Sequence, residues 1–103
     1  MSKYRNRKTE VDGVKFDSQA EANRWLELLM HERVGEVSNI RRQVSFPLVV
    51  NGIKVCVYRA DFVYAQDGRE VVEDVKGVRT AEYKLKRKLM LACHGIEISE
   101  VTA

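Results

Sequence analysis

Two short stretches of this 103-residue chain place charge where an apolar strand is expected. In Tyr58-Arg59-Ala60-Asp61-Phe62-Val63-Tyr64 one carboxylate interrupts a hydrophobic run. In Val71-Val72-Glu73-Asp74-Val75-Lys76-Gly77 the second half is charged. A charge inside a sheet is costly unless it is paired or binds a metal, and breaks in the local pattern concentrate at functional sites. Asp74 and Lys76 share a strand face, with Cα atoms about 6.6 Å apart at two rises of about 3.3 Å, while Glu73 points the other way. Between the two runs, Asp67-Gly68 is a two-residue hairpin signal. A tight turn centred there pairs residues whose numbers sum to 135, setting Asp61 opposite Asp74. A β-bulge would shift that register by one.

Two converging carboxylates repel each other, and one takes up a proton unless a cation intervenes. Hard oxygen ligands select Mg2+ or Mn2+ over zinc. The carbonyl of Val75 offers a further oxygen, and Lys76 beside it suits orienting or deprotonating an attacking water, or stabilising charge on a phosphate. Taken alone, Asp74 and Lys76 also suit an ordinary ion pair on an exposed sheet face; the coincidence with Asp61 favours the metal site.

Simple elements can position these residues. Asp12-Gly13 between alternating stretches predicts a first hairpin. Ser18-Gln19-Ala20-Glu21 matches a capping box and opens a helix over 18–33, with Ala22, Trp25, Leu26, Leu29 and Met30 at helical spacing and Gly35 as terminator. A strand over 40–46 ends at Pro47, and Asn51-Gly52 turns between 48–50 and 53–64. After the strand over 69–76, Thr80 caps a second helix to about Cys93, Gly95 ends it, and residues 96–101 alternate as a last strand. That strand follows a crossover helix and should lie parallel to a neighbour. The fold class is therefore α/β, a mixed central sheet flanked by helices. Residues 1–8 read as a flexible basic arm, and 9–103 as a single domain.

Composition narrows the function classes. The chain has 18 Lys plus Arg against 15 Asp plus Glu, a net charge of +3 that only hints at a polyanionic partner. No run of 18 apolar residues occurs and the first residues are basic and polar, so neither a membrane span nor a secretory leader is expected. Cys56 and Cys93 form neither a disulfide framework nor a zinc set and read as buried thiols in a reducing cytoplasm. His31 and His94 lack ligand spacing; His94, just before Gly95, suits a helix C-terminus. Trp25 lies on the apolar stripe of its helix and reads as core.

Ala60-Asp61-Phe62 followed by Glu73-Asp74-Val75-Lys76-Gly77 resembles the two-part motif of the PD-(D/E)XK nuclease superfamily. That resemblance implies a restriction-endonuclease-like α-β-β-β-α-β core, the order of elements read above. Ala60 stands where the superfamily often has proline, a position that varies widely among such enzymes. Phe-Asp-Ser-Gln-Ala-Glu-Ala, Arg-Gln-Val-Ser-Phe-Pro and Tyr-Lys-Leu-Lys-Arg-Lys further resemble a small phage and prophage family grouped with Holliday-junction-resolvase-like endonucleases. By that resemblance Glu21 on the first helix completes a metal site with Asp61, Asp74 and Val75, although Glu21 equally fits the capping box. Gln43 then contacts the site or the phosphates, or is a plain strand-end residue.

The second helix carries Lys84, Lys86, Arg87 and Lys88 with only Glu82 nearby. Like charges at helical spacing destabilise a helix modestly, so an external polyanion is an attractive reason for them. With Arg5, Arg7 and Lys8 of the arm and Arg41-Arg42, they can track a DNA backbone without reading bases. Lys86 leans toward the metal site. The leading expectation is a Mg2+-dependent DNA endonuclease, with branched DNA the substrate that the family resemblance implies. One site cuts one strand, so symmetric junction cleavage would need a two-fold homodimer. The alternatives are a non-catalytic nucleic-acid-binding module of the same fold, and a partner-binding protein whose charges are solvated.

Overall fold

The computed structural model describes residues 9–102. The arm expected over residues 1–8, with Arg5, Arg7 and Lys8, lies outside them, as does Ala103. Each Asx-Gly pair forms a tight hairpin. Strands β1 (Thr9–Val11) and β2 (Val14–Phe16) join at Asp12-Gly13, and β3 (Ser38–Val50) and β4 (Ile53–Gln66) at Asn51-Gly52. Asp67-Gly68 leads from β4 into β5 (Arg69–Lys76). At each turn both central residues have positive φ, for example 52° at Asp67 and 74° at Gly68. That is the conformation whose twist matches the flanking strands.

Helix α1 (Gln19–Arg33) starts at Ser18, whose hydroxyl accepts from the Glu21 amide at 3.1 Å. Helix α2 (Ala81–His94) starts at Thr80, whose hydroxyl accepts from the Tyr83 amide at 3.1 Å, and stops at left-handed Gly95. Strand β6 (Ser99–Thr102) then runs parallel to β5. The central sheet has the order β3-β4-β5-β6 and is mixed, because only the β5–β6 pair is parallel. The fold is α/β, in the α-β-β-β-α-β order expected, with the β1–β2 hairpin as an addition.

Strand boundaries shift by up to a few residues from the sequence reading, β3 starting at Ser38 and β4 running to Gln66, and two shifts have a clear cause. β3 passes through Pro47 to Val50, which an edge strand tolerates because its missing N–H need not face a neighbour. β6 begins at Ser99 rather than residue 96, because the Ile96 amide closes α2 by donating to the Met90 carbonyl at 3.3 Å. His94 reaches β3 instead of its own helix end, with Nε2 2.7 Å from the Pro47 carbonyl. Cys56 and Cys93 are half-buried rather than buried.

The sheet separates two cores. Leu48, Tyr58, Ala60, Val63 and Val72 pack with Tyr83 and Met90 of α2. Phe62 and Tyr64 pack with Phe16, Ala22 and Leu28 on the α1 side. Strict alternation would put Ala60 and Phe62 on one face, so β4 changes face at Asp61. β3 does the same, with Ile40 packing on the α1 side and Val44 on the α2 side. Between them Gln43 adopts φ +52°, and the pairs Arg42↔Phe62 and Val44↔Ala60 set it opposite Asp61. A non-glycine residue with positive φ inside a strand is strained.

Glu73, with no exposed surface, is held on the α1 side. Arg24 grips it with Nε to Oε2 at 2.8 Å and Nη2 to Oε1 at 2.9 Å, and the Tyr64 hydroxyl donates to Oε1 at 2.7 Å. Removing the cation leaves a buried charge without its partner. Arg24→Ala should therefore lose about 3–5 kcal/mol in urea unfolding, and the double change Arg24→Met, Glu73→Leu should recover most of it.

Candidate active site at the open end of the β4–β5 hairpin

The β4–β5 pairs run from Gln66↔Arg69 to Phe62↔Glu73, each summing to the expected 135. The next rung would join Asp61 to Asp74. Instead Asp61 Oδ2 accepts from the Val75 amide at 2.8 Å, so a side chain takes the place of backbone. Beyond it the strands part: β5 pairs with β6 as far as Lys76↔Thr102, and β4 continues against β3. The gap is an open cleft of about 550 Å³, lined by Tyr58, Arg59, Asp74, Lys76, Thr80 and Lys86 among others.

Asp74 and Lys76 do share a face, the one under α2. Asp74 is 3% exposed; its Oδ2 accepts from the Tyr58 hydroxyl at 2.6 Å. Its Oδ1 is buried with no hydrogen bond, and Lys76 Nζ stands 3.3 Å away. The same ammonium lies 4.3 Å above the Tyr83 ring, a cation–π contact that fixes it. Tyr83 is anchored in turn by donating to Glu100 at 2.7 Å.

Glu21 approaches from α1 and is 8% exposed. Its Oε1 accepts from Gln43 Nε2 at 3.4 Å, a long bond that links the strained residue of β3 to the carboxylates. Burial pushes the Glu21 carboxyl up, with repulsion from Asp17 and Asp74 acting the same way and a hydrogen bond with Asp61 and the charge of Arg42 opposing. Asp61 is pushed up to about 7, first by burial, then by the charges of Asp74 and Glu21, against the Val75 amide.

No three His, Cys, Asp or Glu side chains among the described residues stand as a preformed metal cage. A hard divalent cation nonetheless fits what is present. The donors are carboxylate oxygens, Asp74 Oδ1 is a buried acceptor with no hydrogen bond, and Asp61 lies near enough to Asp74 and Glu21 for their charges to add to the effect of burial on it. In a strand the amide and carbonyl of one residue face the same neighbour. The Val75 carbonyl thus lies on the edge where its amide meets Asp61.

Of the residues singled out by sequence, Glu21, Gln43, Asp61, Asp74, Val75, Lys76 and Lys86 gather at or beside this cleft, with Lys86 also paired to Glu82 at 3.0 Å. Lys84 and Lys88 are exposed on α2. Three expected phosphate contacts are otherwise engaged. Arg41 pairs with Glu70 at 2.8 Å, and Arg87 with Glu100 at 2.9 Å. Arg42 lies 4.3 Å over the Phe16 ring and donates to the Lys15 carbonyl at 2.9 Å. Sequence reasoning missed Tyr58, Tyr83 and Arg59: Tyr58 and Arg59 sit in the mostly apolar run before Asp61 and Tyr83 among the lysines of α2, with no spacing that points to the site.

With this geometry in view, the chain matches over residues 1–98 the family described as "Protein of unknown function (DUF1064)". It belongs to that family. No curated protein matches it.

The cluster makes a pH-dependent stability prediction. A carboxyl raised from 3.8 to about 7 favours the folded state when protonated, and that benefit is lost as pH rises through 7. In EDTA, Asp61→Asn should raise Tm by roughly 5 °C at pH 8 to 9. The gain should shrink below pH 7 and vanish near pH 4, as scanning calorimetry across pH would show.

Proposed function

We propose that this protein is a metal-dependent endonuclease that hydrolyses phosphodiester bonds of DNA, with branched DNA as its preferred form. The observation that carries the reading is the meeting of Asp61 and Asp74 beside a fixed Lys76 where β4 and β5 part. Glu21 is buried against them from α1. Asp61, Asp74, the Val75 carbonyl and Glu21 would hold Mg2+ or Mn2+, which when bound polarises phosphate oxygen and lowers the pKa of water.

Lys76 does the remaining electrostatic work. Its ammonium, held between the Asp74 carboxylate and the Tyr83 ring, is placed to orient a water at the phosphorus and to stabilise negative charge gathering on the phosphate oxygens. A new P–O bond forms to the water oxygen as one ester P–O bond breaks; the attacking water gives its proton to solvent at the open mouth, and the departing oxygen takes one from there. Tyr58 fixes one oxygen of Asp74, and the other has no hydrogen bond and faces the Lys76 ammonium. Lys84, Lys86 and Lys88 track the DNA backbone from α2, joined by Arg5, Arg7 and Lys8. A two-fold homodimer supplies the second cut that symmetric junction cleavage needs. No helix among the described residues is long and apolar enough to cross a membrane; we place the activity in the cytoplasm.

Labelled four-way junction, flap and linear duplex, incubated with Mg2+ or Mn2+, test the proposal. The wild type should cut, fastest on branched forms. Asp74→Ala and Lys76→Ala should each lose on the order of 100-fold or more in rate, and Lys76→Ala should keep the metal-induced rise in Tm. Cutting that survives Asp74→Ala, or no cutting of any form, overturns it. Salt-sensitive binding without cutting would identify a non-catalytic module.

A further inference from the structure

Around the cleft, most cations already have partners. Arg24 is held by Glu73, Arg79 and Arg87 by Glu100, and Arg42 by the Lys15 carbonyl. Lys86 is paired to Glu82, and Lys76 to Asp74. Arg59 differs: it lines the cleft, is exposed, and has neither hydrogen bond nor ion pair among the described residues. Directly across the ribbon, in register, stands Ser45, which also lines the cleft and is exposed. Their side chains alternate with Val44, Tyr58 and Ala60 and so meet the cleft from the face away from α2. Both sit where β4 has lost β5, so a ligand passing the open edge reaches them without displacing a strand.

The pair has the chemistry of a phosphate site. A guanidinium presents a planar fork of N–H donors that matches two phosphate oxygens, and a hydroxyl supplies a third donor. Arg59 precedes Asp61 by two residues, about 6.6 Å along the strand. The backbone path between neighbouring phosphates is longer than the rise of about 3.4 Å per nucleotide along the helix axis. This separation is therefore on the scale of adjacent phosphates, and a phosphate held by Arg59 can belong to the same strand as one lying over the carboxylates.

We propose that Arg59 and Ser45 form a subsite for a flanking phosphate of a polynucleotide, fixing the strand's position along the cleft relative to Asp61, Asp74 and Lys76. The inference rests on the nuclease reading and names positioning residues for it. Arg59 sets where the strand lies, and the phosphorus is attacked elsewhere.

Fluorescence anisotropy with a labelled DNA duplex and a four-way junction, in EDTA and over a range of salt, tests it on the full chain. Arg59→Ala should weaken binding roughly tenfold at low salt and reduce the slope of log K against log salt by about 1. Arg59→Lys should restore the slope, because the charge returns, but only part of the affinity, because the fork does not. Ser45→Ala should weaken binding by a smaller factor, about two- to threefold, with the slope unchanged. In Mg2+, Arg59→Ala should raise KM more than it lowers kcat, and its Tm and metal-induced Tm rise should equal those of the wild type. If the wild type binds and Arg59→Ala binds equally well with the same slope, the subsite is wrong and the nuclease reading stands. If the wild type binds no DNA and its Tm ignores Mg2+, both fall.

Discussion

The bond from the Val75 amide to the Asp61 carboxylate, at 2.8 Å, is where the sheet is allowed to come apart. Two antiparallel strands that separate leave amides and carbonyls without partners, which is expensive away from water. Here a side chain takes the first amide, β6 pairs with the departing β5, and β3 keeps β4. The divergence costs little unsatisfied backbone, and it opens a cleft in the middle of a sheet rather than at its rim. It also fixes the carboxylate that makes it possible, since Asp61 cannot rotate away without orphaning that amide.

Adjacent acids on β5 show what separates support from chemistry. Glu73 and Asp74 are both buried, on opposite faces. Glu73 is saturated by Arg24 and Tyr64, which leaves it nothing to offer a ligand. Asp74 is satisfied at Oδ2 by Tyr58, while its Oδ1 has no hydrogen bond and only the Lys76 ammonium 3.3 Å away. A native structure rarely leaves a buried acceptor without a hydrogen bond, and this one stands beside a second carboxylate whose protonation is favoured first by burial and then by repulsion from Asp74 and Glu21. The strain at Gln43, opposite Asp61, belongs to the same accounting: a left-handed residue in a strand costs on the order of 1–3 kcal/mol. It is accepted where two paired strands change face together and where Gln43 meets Glu21. The two cores stabilise what the cleft destabilises.

What the sequence carried was local or periodic. Three Asx-Gly pairs fixed three hairpins, and one of them set the register that brings Asp61 toward Asp74. The two-residue period of a strand separated Glu73 from Asp74, and Ser18 and Thr80 announced their helices. What it concealed was tertiary. Nothing in Arg41-Arg42-Gln43-Val44 signals a change of face, because the cause lies in packing against two different helices. Arg41, Arg42 and Arg87 read as free cations because Glu70, Phe16 and Glu100 are far from at least one of them in sequence and near in space. Tyr58 reaches an aspartate 16 residues away, a partnership no spacing rule encodes.

On the nuclease reading, the pattern of engaged and open cations bears on how this domain would choose among DNA forms. Nothing among the described residues resembles a separate reading domain; the sheet, two helices and one extra hairpin account for the fold. Arginines locked onto carboxylates hold the scaffold, whereas Arg59, Lys84 and Lys88 are exposed. On the nuclease reading, those groups address phosphates and carry no base identity. Discrimination would then come from where successive phosphates can lie at once, along the cleft and along α2. A four-way junction bends its strands where a linear duplex cannot, so shape would be sensed as the number of phosphates within reach, and the modest net charge of +3 makes that number count. A strongly basic surface would hold any DNA well; a nearly balanced one with a few placed cations holds well only the form that satisfies most of them.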